Sequence, residues 1–214
     1  FAPVDLPFWR TAPEPWAADL AIRPLRWDPA PIQDEARDFL TGLPAMLGRY
    51  GGLRLDGFGF ACTGSSYMLG DAAVTEAVAA AEGAIGCPVV TATAAIEGLL
   101  ARHGARRLAV LSPYPETLHQ AGLAFWRRRG FDIVAQGRVP TRGSMHGMAG
   151  RDHGIYGLTS ADALAAIDGF DPGAAEAILL SGTGMPSAAI IDRAEARHGR
   201  PVVSSNLALA RALL

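Results

Sequence analysis

The sequence predicts an α/β fold with a mainly parallel sheet, and three observations lead to this prediction. From Arg54 onward, short apolar runs alternate with longer stretches of helical periodicity, which is typical of βα units. The chain has 214 residues, of which 50% are hydrophobic, enough for one sizeable core. A short strand-and-loop pattern also occurs twice. We therefore expect one α/β domain with internal twofold repetition.

The elements follow in order from these runs. Strands are predicted where aliphatic residues cluster between turn residues, and helices where apolar residues recur with the period of a helix. The predicted strands cover residues 57–61, 89–91, 107–112, 132–139, 177–181 and 202–204. The predicted helices cover residues 33–50, 68–82, 94–103, 115–129, 160–167, 187–198 and 206–213. The proline-rich opening, 1–31, is predicted to be extended, with an edge strand at 19–27, and the glycine-rich segment 140–157 to be a loop near the ligand.

The repeated pattern covers residues 58–66 and 178–187. In both copies an apolar strand runs into small, hydroxyl-bearing residues and then a helix. Such a junction leaves backbone N–H groups unpaired and gathers about half a positive charge at the helix start, which favours anions. The first copy carries Cys62 where a thiolate would be stabilised, and the second has Gly182 at the matching place. Both copies are candidate anion sites, and only the first holds a nucleophile.

Composition excludes several classes of protein. The formal net charge of −2, from 19 basic and 21 acidic residues, argues against nucleic acid and anionic membranes as partners. The absence of lysine excludes a pyridoxal-phosphate Schiff base. The cysteines, Cys62 and Cys87, lack the spacing of metal ligands, so no metal site is expected, and Cys87 is predicted to be a small buried residue. Free thiols and the lack of a long apolar run or signal sequence favour the cytoplasm.

Cys62 is the leading candidate for catalysis, because it follows a strand and precedes small polar residues. Thr63, Gly64 and Ser65 are expected to hold a carboxylate, although ordinary helix capping would need only one of them. Ligands of parallel sheets bind outside the carboxyl ends of the strands, and Cys62 lies at such an end.

The second half of the chain supplies further candidates at strand ends. Tyr114 lies between two prolines that stiffen the backbone, so its hydroxyl could donate to a ligand oxygen; the alternative is an aromatic ring at the rim of the core. Thr183 and Gly184 would form a second cradle, again with capping as the alternative. Spacing does not single out any of the histidines in these regions, which are expected on the surface or in loops: His119, His146 and His153.

These segments, in this order, resemble the maleate cis/trans isomerase and arylmalonate decarboxylase branch of the aspartate/glutamate racemase superfamily. The resemblance rests on residues 60–63, 88–95, 107–114, 178–182 and 201–206. It implies two flavodoxin-like halves related by a pseudo-twofold axis, each with a mainly parallel sheet flanked by helices, and an active site in the cleft between them. The first half would comprise residues 1–90 and 203–214 and the second residues 91–202, with the family's first strand lying before Phe1.

The resemblance also implies chemistry without a metal or organic cofactor. Isomerases of this branch use one cysteine from each half, and decarboxylases keep only the second. Here Cys62 matches the first-half cysteine and Gly182 replaces the second, which argues against an amino-acid racemase. Where isomerases place an asparagine, Asp152 or His153 stands here, and an aspartate would repel a second carboxylate.

The expected function is maleate-isomerase-like cis/trans isomerisation of a small carboxylate, with Cys62 as the nucleophile. One alternative is decarboxylation of a substituted malonate with Cys62 as the proton donor and the opposite product handedness. A further alternative is a binder of small carboxylic acids without catalysis. The substrate is the one expected partner, and self-association into a homo-oligomer stays open.

Overall fold

Two parallel sheets form the framework of the protein. The computed structural model describes residues 38–48, 54–141 and 154–214. In this part of the chain, strands β1 (Phe58–Phe60) and β2 (Val89–Thr91) form one sheet. Strands β3 (Arg107–Ser112), β4 (Asp132–Arg138), β5 (Ala177–Leu180) and β6 (Val202–Ser204) form the other, in the order β4-β3-β5-β6. Every described strand pair is parallel, so the carboxyl ends of each sheet lie along one edge.

Helices connect and flank the strands. They are α1 (Leu43–Leu47), α2 (Thr63–Met68), α3 (Asp71–Ile85), α4 (Ala92–Arg102), α5 (Glu116–Arg128), α6 (Ser160–Asp168), α7 (Ile191–His198) and α8 (Ser205–Leu213). Short 3₁₀ turns cover Gly154–Gly157 and Ala188–Ile190. No helix in the described ranges is both long enough and apolar enough to cross a membrane.

The four-stranded sheet is covered on both faces because its central strands alternate between two cores. Leu108 and Val110 of β3 pack into one core, whereas Ala109 and Leu111 pack into the other. This period of two is the pleat of a strand whose two faces are both buried. The smaller sheet has its own core, in which Phe60 packs with α1 and α3.

Helix α8 joins the two sheets. It follows β6 of the larger sheet and packs on α4 and on β1 of the smaller sheet. Gly59 permits this close approach, since a Cβ atom there would lie 2.7 Å from Cδ1 of Leu213. The fold is therefore α/β with two parallel sheets flanked by helices. The exact division into 1–90 with 203–214, and 91–202, stays a prediction.

Most predicted elements are present, and two differ in a way that bears on function. Strands 89–91, 107–112 and 202–204 are confirmed to the residue. The predicted helix 68–82 is wrong at its start: Leu69 and Gly70 are extended and separate α2 from α3, with Asp71 favouring a new helix start. The predicted helix 187–198 begins as a 3₁₀ turn, and α7 starts only at Ile191. The opening strand 19–27 and most of the loop 140–157 lie outside the described residues.

Candidate active site

Cys62 lies at the point where β1 gives way to α2. Its backbone is extended, with φ −147° and ψ 106°, and it is the N-cap residue of α2. The Ser65 hydroxyl donates to Cys62 Sγ across 3.2 Å, and the cysteine is partly exposed. Cys62 is thus reachable and accepts a hydrogen bond, as reactive cysteines do, and its side chain also packs against the core that contains Phe60.

The first turn of α2 is buried and has no side-chain cap. A helix leaves its first backbone N–H groups without an intrahelical partner, and here no side chain of the N-cap residue accepts from them. Thr91, Thr159 and Ser204 cap α4, α6 and α8, whereas α3 and α5 are also uncapped but begin with exposed residues. Thr63 and Ser65 are fully buried at the α2 start. Since buried donors are costly to leave unpaired, this turn is suited to an anionic acceptor.

A hydrogen bond between Thr63 and Tyr114 connects the ends of β1 and β3, which belong to different sheets. Their hydroxyl oxygens are 2.6 Å apart, although 51 residues separate them in sequence. Tyr114 follows β3 and is 6% exposed, next to Pro115, which begins α5. In a hydroxyl pair one group donates to the other, and both can turn toward a carboxylate oxygen that replaces this bond. The pair thus places neutral donors from both halves beside Cys62.

The junction after β5 has a different structure. Gly182 has φ +139°, a conformation that L side chains rarely adopt. A Cβ atom at this position would lie 2.9 Å from Cδ of Pro113 and 3.7 Å from Cζ of Tyr114. The Gly182 N–H donates to Ser205 Oγ across 3.0 Å. The Pro113 ring therefore fills the space that a second thiol would need, and the Gly182 N–H already has an acceptor.

Thr183 and Gly184 continue this second junction as a buried turn. The Thr183 hydroxyl donates to the Ala61 carbonyl across 2.7 Å, and Asn206 Nδ2 donates to the Thr183 carbonyl across 3.2 Å. The turn is thus tied to the residue before Cys62 on one side and to α8 on the other. Because α7 begins at Ile191, the helix start expected beside Gly182 lies farther along the chain.

Sequence reasoning missed a set of buried hydroxyls behind these junctions. Tyr67 of α2 has its hydroxyl 2.6 Å from Ser181 Oγ and accepts from Trp126 Nε1 across 3.0 Å. The apolar spacing of Tyr67 and Trp126 is typical of core residues, and no local pattern reveals that their polar atoms meet. A second set of hydroxyls connects α2 to α4. Here Thr93 Oγ1 donates to Ser66 Oγ across 2.9 Å.

The remaining candidates are His119, Cys87 and three residues of the segment 140–157. His119 is not on the surface: it is 4% exposed, and its Nδ1 is 2.8 Å from Ser112 Oγ. Burial lowers the pKa of His119. Cys87 is buried as predicted, and burial raises the pKa of its thiol. Asp152, His146 and His153 lie outside the described residues. Within the described ranges, no three His, Cys, Asp or Glu side chains are grouped so that they could hold a metal ion.

The fold and the site define a class: an α/β protein in which a single partly exposed cysteine lies among neutral donors between two parallel sheets. A family model described as arylmalonate decarboxylase matches residues 57–214. The chain belongs to the arylmalonate decarboxylase family. This confirms the resemblance seen in the sequence.

Solved structures confirm the fold. A cysteine-to-alanine variant of maleate isomerase Iso from Pseudomonas putida S16, crystallised with maleate, superposes with a TM-score of 0.73 at 20% identity, covering 85% of this chain and 72% of that one. A cysteine-to-serine variant of Nocardia farcinica maleate cis-trans isomerase, with a covalently bound succinylcysteine intermediate, gives 0.67 at 21% identity, covering 81% and 70%. Arylmalonate decarboxylase gives 0.65 at 21% identity, covering 82% and 74%. All three neighbours are enzymes.

A shorter likeness covers 46 residues, which are 48% identical to part of a homogentisate 1,2-dioxygenase from Rhizobium meliloti (strain 1021). It spans 22% of this chain and only 10% of that protein. A match of this extent carries no conclusion about the function of the whole chain.

Proposed function

We propose that this protein is a cofactor-independent enzyme that converts a small carboxylate by cis/trans isomerisation, with Cys62 as the nucleophile and maleate as the first substrate to test. The observation that carries the proposal is the placement of Cys62 beside the Thr63–Tyr114 hydroxyl pair at the uncapped start of α2. This arrangement combines a sulfur nucleophile with donors for the charge that its attack creates.

In the proposed reaction, the Cys62 thiolate adds to one carbon of the substrate double bond. A sulfur–carbon bond forms, and the π-electron pair moves onto the neighbouring carbon and its carboxylate as an enediolate. The former double bond is now a single bond and rotates. The electron pair then returns, the sulfur–carbon bond breaks, and the trans acid leaves with the thiolate restored. No proton is gained or lost overall, so the step needs one thiol only.

The neutral donors of the site would stabilise the enediolate. We propose that the hydroxyls of Thr63 and Tyr114 and the backbone N–H groups of Gly64 and Ser65 donate to this charge, which the hydroxyl pair and the uncapped start of α2 support. Each such donor is worth about 3 kcal/mol in comparable oxyanion holes. These donors carry no formal charge, so they can hydrogen-bond the enediolate without forming an ion pair with it.

Decarboxylation of a substituted malonate is the second candidate, and the family match over residues 57–214 favours it. In this reaction the bond to one carboxylate breaks, carbon dioxide leaves, and the electron pair forms an enediolate. The Cys62 thiol then gives its proton to the α-carbon, and water reprotonates the thiolate. This route also uses one thiol, so Gly182 is compatible with both candidates.

Turnover of a defined set of acids tests the proposal. Wild-type protein, Cys62→Ala and Cys87→Ala would each be offered maleate, arylmalonates and alkylmalonates and followed by proton NMR. Fumarate formed by wild type and Cys87→Ala, but not by Cys62→Ala, is the expected result. A monoacid from the malonates with the same dependence on Cys62 would establish the decarboxylase instead. Binding of these acids without turnover would indicate a binding protein. Turnover by Cys62→Ala would refute the role of Cys62 in both reactions.

The remaining expectations concern the protein's surroundings. A small carboxylate is the proposed partner. Self-association and a cytoplasmic location stay predictions, to be tested by light scattering of the purified chain and by fractionation of cells.

A further inference from the structure

A buried tyrosine, Tyr67, lies near the candidate site. The hydrogen bonds described for its hydroxyl go to residues other than Cys62. Tyr67 is 5% exposed, on α2. Its ring centroid is 5.2 Å from that of Phe125, 6.2 Å from that of Trp126 and 6.3 Å from that of Tyr114. Helix α5 has Gly122 where this ring lies, and a Cβ atom there would be 2.9 Å from Tyr67 Cε2. The ring is therefore held on several sides.

One of the two hydrogen bonds of Tyr67 has a defined direction. An indole N–H only donates, so the Tyr67 oxygen accepts from Trp126 Nε1 across 3.0 Å. The phenol's own proton can then go to Ser181 Oγ, 2.6 Å away. Burial raises the pKa of Tyr67 to about 12, so the phenol keeps this proton at neutral pH. Trp126 thus donates to Tyr67, and Tyr67 and Ser181 share a hydrogen bond in which either hydroxyl can donate.

This chain of hydrogen bonds connects the two junctions. Tyr67 belongs to the six-residue helix whose first turn carries the donors beside Cys62. Ser181 immediately precedes Gly182. A displacement of the Tyr67 hydroxyl would therefore move α2 relative to the turn at Gly182 and would change the distance between Thr63 and Tyr114, which belong to different halves.

We propose that Tyr67 is a positioning residue that sets the spacing between the Cys62 junction and the Gly182 junction, an inference that rests on the proposed function. A phenylalanine would fill the same space but would take the Tyr67 hydroxyl away from the buried Trp126 Nε1–H and the Ser181 hydroxyl. Three polar groups from α2, α5 and the end of β5 satisfy one another here. Such a network specifies one arrangement of the packed elements more than it adds stability.

The test compares Tyr67→Phe, Ser181→Ala and the double variant with Thr159→Ala. Thr159 caps α6 far along the chain, so its loss should lower the free energy of unfolding without affecting the site. With the acid that the turnover test identifies as the substrate, Tyr67→Phe should lower kcat by about 10- to 100-fold. KM should change little, because the donors are displaced rather than removed. The double variant should be no worse than either single one, since both break the same bond. Thr159→Ala should keep the kcat of wild type.

A second readout does not depend on turnover. In a Cys87→Ala background, the rates at which iodoacetate and iodoacetamide alkylate Cys62 would be compared with those of free cysteine. We expect wild type to favour the anionic reagent relative to free cysteine, and Tyr67→Phe to lose part of this preference. An unchanged ratio and an unchanged kcat, with only a loss of stability like that of Thr159→Ala, would overturn the positioning role. If no acid is converted, the proposed function fails, and the alkylation ratio alone still decides the role of Tyr67.

Discussion

The junction after β1 and the junction after β5 occupy corresponding strand ends, but they use their backbone groups differently. After β1, the chain enters α2 at once, and the first buried N–H groups of that helix have no side-chain cap. After β5, the chain forms a turn whose Gly182 N–H is bonded to Ser205 and whose Thr183 hydroxyl is bonded to Ala61. In the proposed function the first junction accepts the ligand, whereas the hydrogen bonds of the second connect it to α8 and to the residue before Cys62.

The difference explains how one thiol can suffice. At the second junction a side chain would meet the Pro113 ring, and the backbone conformation itself favours glycine. Gly182 is therefore part of the packing between Pro113, Tyr114 and α8. The proposed chemistry therefore uses Cys62 and the hydroxyls of Thr63 and Tyr114.

Of the changes at the two junctions, removing the Cys62 thiol should have the largest effect on activity. Cys62→Ala should lower kcat by at least about 10³-fold, because it removes the only nucleophile that the proposal uses. Steady-state rates with the substrate identified by NMR measure this. Cys87→Ala is the matched control, since Cys87 is buried just before β2 and should be dispensable. Equal losses in the two variants would mean that the first junction is not the reactive one.

Removing the paired hydroxyls should have the next largest effect. Thr63→Val and Tyr114→Phe should each lower kcat/KM by about 10²-fold, equivalent to about 3 kcal/mol per lost donor. Because the two groups are hydrogen-bonded to each other, the double variant should lose less than the product of the single losses. Strictly multiplicative losses in this cycle of kcat/KM values would contradict a shared role at one carboxylate.

Adding a side chain at the second junction tests its packing role. Gly182→Ala should lower the free energy of unfolding by about 3 kcal/mol, from a strained φ together with the contact with Pro113. Gly199→Ala is the control: its φ is +62°, but nothing lies within 4 Å of the added Cβ. That variant should cost only about 1 kcal/mol.

A double variant separates the two causes of this loss. Pro113→Ala should reduce the cost of Gly182→Ala in a double-mutant cycle of urea unfolding, because it removes the ring that the new Cβ would meet. Gly182→Cys should be as destabilising as Gly182→Ala and should not create racemase activity. A stable Gly182→Cys protein would show that the space opposite Cys62 is open after all.

The smallest predicted effect concerns His119, which supports the strand end before Tyr114. Its pKa is lowered by burial, so the unfolded chain binds more protons than the folded one around the ordinary histidine pKa. The buried neutral ring of His119 therefore makes its full contribution to the free energy of unfolding above that pKa. This contribution is lost as the pH falls through it. Between about pH 7.5 and 5.5, wild type should lose more of its free energy of unfolding than His119→Asn in urea unfolding. Equal slopes in both proteins would mean that burial of this ring does not couple to folding.

Much of the fold could be predicted because its strands are short apolar runs with sharp ends. β2, β3 and β6 fall where expected, since an apolar segment between turn residues has few other ways to be buried. The placement of Cys62 and Tyr114 at strand ends followed from the same reasoning. The break at Leu69–Gly70 did not, because a small-residue run reads as one continuous helix.

The connections between the halves could not be predicted from local patterns. The Tyr67–Ser181 pair joins residues 114 positions apart, and each residue separately reads as core or as a strand end. The same holds for Gly182, whose sequence neighbours suggest an open anion cradle. Its positive φ and its contact with Pro113 arise only when β3 and β5 are paired.

The most direct test of the central claim, that Cys62 acts without a second acid at Gly182, is isomerisation of maleate in heavy water followed by proton and deuterium NMR. Direct rotation in the thiol adduct predicts fumarate with no carbon-bound deuterium, formed by wild type and not by Cys62→Ala. Fumarate that carries deuterium at a rate matching turnover, or fumarate formed by Cys62→Ala, would contradict the account.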